Sequence, residues 1–166
     1  MRAPLPPRRP GEGIVTPAIA AFCAGGTSIV LATVDAEGRA VTGRALACTF
    51  GPNGTLRLLF DAEGNDALID AAARGAALAV TCSDPVTNRS LQLKGPRCAP
   101  DAVTPADIAE TDRQARAFAG VLRLIGYSDA FAAAYCRVSP AGLGACVMTP
   151  AAAFEQTPGP GAGRAI

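Results

Sequence analysis

Three short turn sequences divide the first half of the chain and restrict it to a small set of folds. They are Asp35-Ala36-Glu37-Gly38, Gly51-Pro52-Asn53-Gly54 and Asp61-Ala62-Glu63-Gly64. The β-branched and apolar runs between them predict strands over 28–34, 39–50 and 55–60. A parallel sheet needs a helix between nearly every pair of strands, and these turns leave no room for one. The first half is therefore predicted to be an antiparallel meander.

The rest of the chain combines capped helices with further strands. Pro17 after Thr16 starts a short opening helix, and further helices are predicted over 65–74, from Thr104 to Gly126 and from Ser128 to Cys136. Strands are predicted over 76–82, 87–98 and 143–148, the second of them bent or exposed at an edge at Gly95-Pro96. Five or six antiparallel strands with few helices predict a mainly β (α+β) barrel flanked by helices.

Composition excludes several classes of function. A formal charge of +1 gives no positive field for nucleic acid, and no apolar run approaches the ~20 residues of a membrane span. We therefore expect a cytoplasmic protein with neither partner. The chain has no histidine, which removes the usual general base and metal ligand. We interpret its six cysteines mostly as buried thiols, in preference to disulfides or metal ligands, and expect no metal site.

Two strands carry polar residues of interest. Ser90, Gln92 and Lys94 alternate along one face of the fifth predicted strand, and Lys94 is the single lysine in the chain. That face either lines a site or simply meets solvent. Arg44 lies among apolar residues of the second strand, so it either binds an anion or lies over the surface of that strand.

The helix that starts near Asn65 also offers unpaired backbone N–H groups. They can receive a phosphate, or they can be capped by the side chain of Asn65 or Asp66. The side-chain cap is the simpler interpretation. No side chain in the sequence stands out as a catalytic acid or base.

Several of these segments together resemble the pyridoxamine 5′-phosphate oxidase-like, FMN-binding split-barrel superfamily. They are the hairpin Ser28–Gly38, the segment Gly43-Arg44-Ala45-Leu46, the strand, loop and helix from Leu58 to Arg74, and the strand Asn88–Gly95. The chain is also similar to a subgroup whose members end in Gln-Thr-Pro-Gly-Pro, as in residues 156–160 here. The resemblance covers roughly residues 16–163.

The resemblance implies an antiparallel split β-barrel with flanking helices that works as a homodimer. From its composition we divide the chain into a disordered N-terminal arm (1–13), the barrel domain (14–154) and an extended Pro/Gly-rich tail (155–166). We expect the tail to pack across the partner subunit, because a segment without internal hydrogen bonds needs an external surface.

The resemblance also implies an FMN site at the subunit interface. Arg44 holds the phosphate in this interpretation, and the residues beside the flavin are Phe60, Asp61, Asn65, Arg89, Ser90, Gln92 and Lys94. The chain departs from the family pattern at the helix start, where Asn65-Asp66 replaces a basic pair and Asp61 and Glu63 lie close by. Each carboxylate there repels a phosphate by on the order of 1 kcal/mol, which predicts weak FMN binding and argues against true pyridoxamine-phosphate oxidase activity.

These observations lead to two hypotheses of different classes. The first is an FMN-dependent oxidoreductase, or flavin reductase-like protein, that moves a hydride or electrons between flavin and a small organic partner. The second is a non-catalytic split-barrel module that binds a small ligand or a protein. Thiol chemistry at Cys48 or Cys82 is a third hypothesis. It is disfavoured because no positively charged residue lies beside either cysteine in the sequence to lower the pKa of its thiol.

Overall fold

A computed structural model describes residues 13–166. The predicted N-terminal arm therefore lies outside the described residues, apart from Gly13. Eight strands lie within them: β1 Ser28–Val34, β2 Ala40–Phe50, β3 Leu56–Asp61, β4 Leu78–Ser83, β5 Ser90–Gly95, β6 Cys98–Asp101, β7 Leu143–Met148 and β8 Ala152–Glu155. They form one sheet in the order β6-β7-β3-β2-β1-β4-β5-β8, and every neighbouring pair is antiparallel. The predicted mainly β, antiparallel fold is confirmed.

The sheet curls into a barrel around a single large core. Strands β5 and β6 are consecutive in sequence but lie near opposite ends of the sheet, so the short segment between them joins those ends. A Cβ on Gly95 would lie only 2.9 Å from Sδ of Met148 on β7, so the two ends of the sheet meet there. Apolar side chains from strands across the whole sheet, including Leu31 of β1, Leu58 of β3 and Leu93 of β5, fill the interior together.

Two strands differ from the sequence prediction. The single strand predicted over 87–98 is two strands, because the chain bends at Gly95-Pro96 and changes from one end of the sheet to the other. Strand β8 was not predicted, since Ala152-Ala153-Phe154-Glu155 has no strand-forming character by itself. It becomes a strand by pairing with β5.

The helices begin and end close to the predicted positions. They are α1 Pro17–Cys23, α2 Asp66–Ala73, α3 Pro105–Leu124 and α4 Asp129–Tyr135. The side chains of Thr16, Thr104 and Ser128 accept hydrogen bonds from the first turns of α1, α3 and α4, as their sequences predict. Asn65 forms no such bond at the start of α2, so the predicted side-chain cap is wrong there. Its Nδ2 donates to the carbonyl oxygen of Asp61 instead, at 2.7 Å.

Helix α3 is held against the barrel by a buried amide. The Gln114 side chain is 2% exposed; its Oε1 accepts from the backbone N of Cys48 at 3.1 Å, and its Nε2 donates to the Cys48 carbonyl at 2.7 Å. Strand β1 begins at Ser28 and does not extend alongside this part of β2. Gln114 thus satisfies backbone groups that a neighbouring strand would otherwise satisfy.

A second attachment lies at the start of α3. Both oxygens of the Asp107 carboxylate accept from the Arg57 guanidinium of β3, each at 2.8 Å. The hydroxyl and backbone N of Thr104 also donate to Asp107. The hydrogen bonds from Arg57, followed by those from Thr104, lower the pKa of Asp107 from its ordinary value of 3.8 to about 2.

The C-terminal tail folds back onto its own chain. Thr157 accepts from the backbone N of Ser90 at 3.0 Å, and the backbone N of Gln156 donates to the Ser90 carbonyl. Beyond a set of turns, Gly163 and Ile166 donate to carbonyl oxygens of β8. The tail therefore has hydrogen bonds within its own chain, which removes the reason for expecting it to pack across a partner.

Gln114→Leu should lower the free energy of unfolding by about 3 kcal/mol, because it leaves the buried N–H and C=O of Cys48 without partners. Urea denaturation at neutral pH measures this. Arg116→Leu on the same helix alters an exposed side chain and should change the free energy by about 0.5 kcal/mol or less. Equal effects of the two substitutions would contradict the role given to Gln114.

Asp107→Asn should destabilise the protein in a pH-dependent way. The folded-state pKa lies below the unfolded value, so the ionised carboxylate contributes stability above pH 3.8 and loses it as the pH falls towards 2. The ionisation contribution at neutral pH is about 2 kcal/mol. Urea denaturation at several pH values between 5 and 2.5 should show the difference from the native protein shrinking. A constant difference would refute the assignment, and Asp112→Asn is the control for an exposed ion pair on the same helix.

Candidate functional site

Two rows of side chains cross five neighbouring strands on the side of the sheet away from the core. The strand registers place one residue from each of β2, β1, β4, β5 and β8 in each row. The first row is Arg44, Val30, Thr81, Gln92 and Phe154, and the second is Thr42, Ala32, Ala79, Lys94 and Ala152. We call these ten residues the outer sheet face. Each is exposed or half-buried, so the face is accessible in the single chain.

Arg44 lies at one side of this face and is oriented by helix α4. Its Nη2 donates to the Tyr135 carbonyl at 2.8 Å, and its Cζ lies 4.0 Å from the centroid of the Tyr135 ring. Tyr135 is the last of three stacked aromatic residues, with ring centroids 5.6 Å from Phe131, itself 4.5 Å from Tyr127. The guanidinium is thus held in place by a carbonyl and a ring, and is not paired with a carboxylate within residues 13–166.

Gln92 and Lys94 lie across the face from Arg44. Gln92 Nε2 donates to Oγ1 of Thr81 at 3.0 Å, and Lys94 Nζ lies 5.0 Å from the centroid of the Phe154 ring. Beside Lys94 a shallow cavity of about 300 Å³ is lined mainly by apolar groups: Ala32, Thr33, Val34, Ala77, Leu78, Ala79 and Gly95. The ten residues of the face include two cations and no carboxylate. The face therefore suits a flat ligand that carries negative charge.

Two predicted site residues next to this face have structural partners. Ser90 is 8% exposed, and its Oγ lies 2.7 Å from the Oγ of Ser83, so its hydroxyl is already used. Arg89 points to the opposite side of β5, where its Cζ lies 4.5 Å from the centroid of the Phe22 ring. Its buried Nε has no hydrogen-bond partner.

The remaining predicted residues lie on the core side of the sheet or at the start of α2. Phe60 is 2% exposed and belongs to the core. Asn65 Oδ1 lies 2.6 Å from the position that a Cβ on Gly43 would occupy, and Gly43 lies opposite the core residue Leu31. Asp61 accepts from the backbone N of Glu63 through its Oδ1. The structure thus brings Arg44, Gln92 and Lys94 to one face and places Phe60, Asp61, Asn65 and Arg89 elsewhere.

Sequence reasoning missed four residues beside the predicted ones. Val30, Thr81 and Phe154 share a row with Arg44 and Gln92, and Tyr135 holds Arg44. Strand alternation gives the facing direction of Val30 and Thr81, but their partners depend on the strand order. Tyr135 is separated from Arg44 by 91 residues, and no local signal joins them.

All six cysteines are free thiols, and five of them are buried. Cys48 and Cys82 have no exposed surface, in agreement with a structural role. Burial raises the pKa of Cys146 to about 12. Cys136 is the half-buried exception; burial raises its pKa, and the nearby guanidinium groups of Arg44 and Arg123 oppose that effect.

We expect Cys136 to be alkylated first when the native protein is treated with iodoacetamide. The five buried thiols should react only after unfolding, because the reagent cannot reach them. Mass spectrometry of peptides after timed quenching measures each rate. A Cys136→Ser variant should lose the early modification; rapid modification of Cys48 or Cys82 in the native protein would contradict the burial that the structure shows.

Within residues 13–166, no helix has the length and apolar character required to cross a bilayer. The same residues contain no group of three or more histidine, cysteine, aspartate or glutamate side chains arranged to hold a metal ion.

No protein-family model matches the chain, and no curated protein matches it. Similarity is found among solved structures. HupZ of Group A Streptococcus is 12% identical, with 90% of this chain and 99% of HupZ covered and a TM-score of 0.54. A proposed pyridoxamine 5′-phosphate oxidase from Lactobacillus delbrueckii is 14% identical, with 87% and 97% covered and a TM-score of 0.52.

An F420 reductase is 16% identical, with 84% of this chain and 98% of that protein covered and a TM-score of 0.51. Identities this low establish the fold and nothing finer. The three similar structures agree with the predicted resemblance and with the predicted antiparallel barrel. The chain shares the split-barrel fold of these three solved structures.

Proposed function

We propose that this chain is a flavin-binding protein that works as a homodimer and transfers a hydride or electrons between bound FMN and a small organic partner. The observation that carries the proposal is the outer sheet face, where Arg44 and Lys94 supply positive charge without an opposing carboxylate. The flavin supplies the redox chemistry when it is bound, and the protein positions it.

The residues of the face fit the parts of FMN. Arg44 is held by Tyr135 and offers a guanidinium to the phosphate, which it can bind in a forked geometry. Thr81 and Gln92 offer polar groups along the strands, while Val30 and Phe154 offer apolar contact to a ring. Lys94 stabilises negative charge on a reduced flavin.

The carboxylates near the start of α2 bear on this site less than the sequence suggests. Helix α2 packs on the core through Leu68, next to Gly43. Arg44 follows Gly43 in the chain and points to the other face of β2. The phosphate in this proposal is bound at Arg44 and not at the start of the helix.

A second copy of the chain is proposed to cover the outer sheet face. Val30 is 44% exposed and Val34, on the same side of β1, is 46% exposed. Exposed apolar groups beside charged ones favour burial against a partner. The names of an F420 reductase and a proposed pyridoxamine 5′-phosphate oxidase among the similar structures support a redox role.

A non-catalytic binding module is the second candidate. Among the ten residues of the face there is no histidine, aspartate, glutamate, tyrosine or cysteine, so Lys94 is the one side chain there that could serve as an acid or base. A protein that binds flavin and never turns over a reductant would fit this alternative.

The test is the visible absorption spectrum of the purified protein before and after adding FMN and desalting. Titration with FMN then measures the dissociation constant. Native protein should retain flavin bands. Arg44→Gln and Lys94→Gln should each raise the dissociation constant about tenfold, because each removes a charge-assisted contact. Arg39→Gln is the matched control, since Arg39 lies outside the face with its guanidinium paired to Asp35.

Three outcomes separate the candidates. Retained flavin that is reduced by NADH or NADPH supports the oxidoreductase. Retained flavin that neither NADH nor NADPH reduces favours the binding module. A protein that retains no FMN, or variants that bind it as tightly as the native protein, would refute the proposed site.

A further inference from the structure

A second cavity lies between helix α3 and the end of α4. Its volume is about 320 Å³, at the lower end of the range for small-molecule sites. It is lined by Asp112, Ala115, Arg116, Ala119, Arg123, Ala133, Cys136, Arg137 and Val138. None of these residues belongs to the outer sheet face.

The cavity has an excess of positive charge. Three guanidinium groups line it, those of Arg116, Arg123 and Arg137, together with the single carboxylate of Asp112. Asp112 pairs with Arg116, and Arg123 pairs with Asp129 at the margin. Arg137 forms no ion pair within residues 13–166. The N–H donors of the Arg137 guanidinium therefore remain available to a ligand.

The shape of the cavity follows from small side chains. Ala115 and Ala119 on α3 and Ala133 on α4 line it, and short side chains at these positions leave room between the helices. Arg116, Ala119 and Arg123 lie three or four residues apart, so they share one side of α3. The side chains of Arg116 and Arg123 are 78% and 47% exposed, so the wall that they form is open to solvent on one side.

We propose that the α3–α4 cavity binds a small organic anion through a carboxylate or phosphate group. Guanidinium groups match the planar forks of both kinds of anion, and the excess charge excludes cationic ligands. The cavity shares no residue with the outer sheet face, but Cys136 on its wall lies close to Arg44, so FMN and anion binding are measured separately.

Isothermal titration calorimetry of the full chain at low ionic strength tests the proposal with two separate probes, inorganic phosphate and succinate. Binding of phosphate alone identifies a phosphate-bearing ligand, and binding of succinate alone identifies a carboxylate; both results support an anion site. Absence of binding by both probes up to about 10 mM would overturn it, since a Kd above that range is too weak to be specific.

The location is tested with paired variants. Arg137→Gln should weaken binding about tenfold, and Arg116→Gln is the second variant if the first does not fold. Arg74→Gln, an exposed arginine at the end of α2, is the control and should leave affinity unchanged. Equal affinity of the native protein and the folded Arg137 or Arg116 variant would overturn the placement.

Alkylation of Cys136 gives an independent readout, because this thiol lines the cavity. A bound anion should slow its modification by iodoacetamide, and an unchanged rate under saturating anion would contradict the site. FMN retention, measured in parallel, should be the same in native protein and in Arg137→Gln. A loss of FMN together with anion binding would show that the two sites are not separate.

Discussion

Closure of the barrel at Gly95 and Pro96 determines where everything else lies. Gly95 ends a strand at one end of the sheet, and within three residues the chain starts β6 at the other end. A side chain at Gly95 would meet Sδ of Met148 and the carbonyl oxygen of Thr149, at 2.9 and 3.1 Å. Pro96 has no N–H and cannot continue the ladder. The interior is thereby enclosed, and the strand faces divide into a buried set and an outward set.

Helix α3 covers only part of the barrel surface formed by the strand residues that face away from the core. Gln114 and the Arg57–Asp107 pair hold it against the outer surface of β2, β3 and β7, where Ala47, Leu59 and Ala145 form a small second core. The same helix does not cover the strands on the other side of β2. The outer sheet face is therefore the part of the barrel surface that α3 leaves open, and Arg44 lies at its boundary, held by Tyr135.

Charge is distributed unevenly between the two faces of β2. Gly43 lies beside Asn65 at the acidic start of α2, and Arg44 next to it points to the face that also carries Lys94. One residue step along a strand thus separates an acidic environment from a basic one. In the proposed function this step places a phosphate on the basic side.

The sequence alone specified the local structure: the turns, the caps at Thr16, Thr104 and Ser128, and the first four strands to within two residues. It also determined that Gln92 and Lys94 share one face, because that depends on alternation within a single strand. Tertiary contacts made β8 a strand, placed Phe60 in the core and brought Arg44 to Tyr135. Those outcomes depend on which strand lies beside which, and on contacts between residues far apart in the chain, which local propensity does not encode.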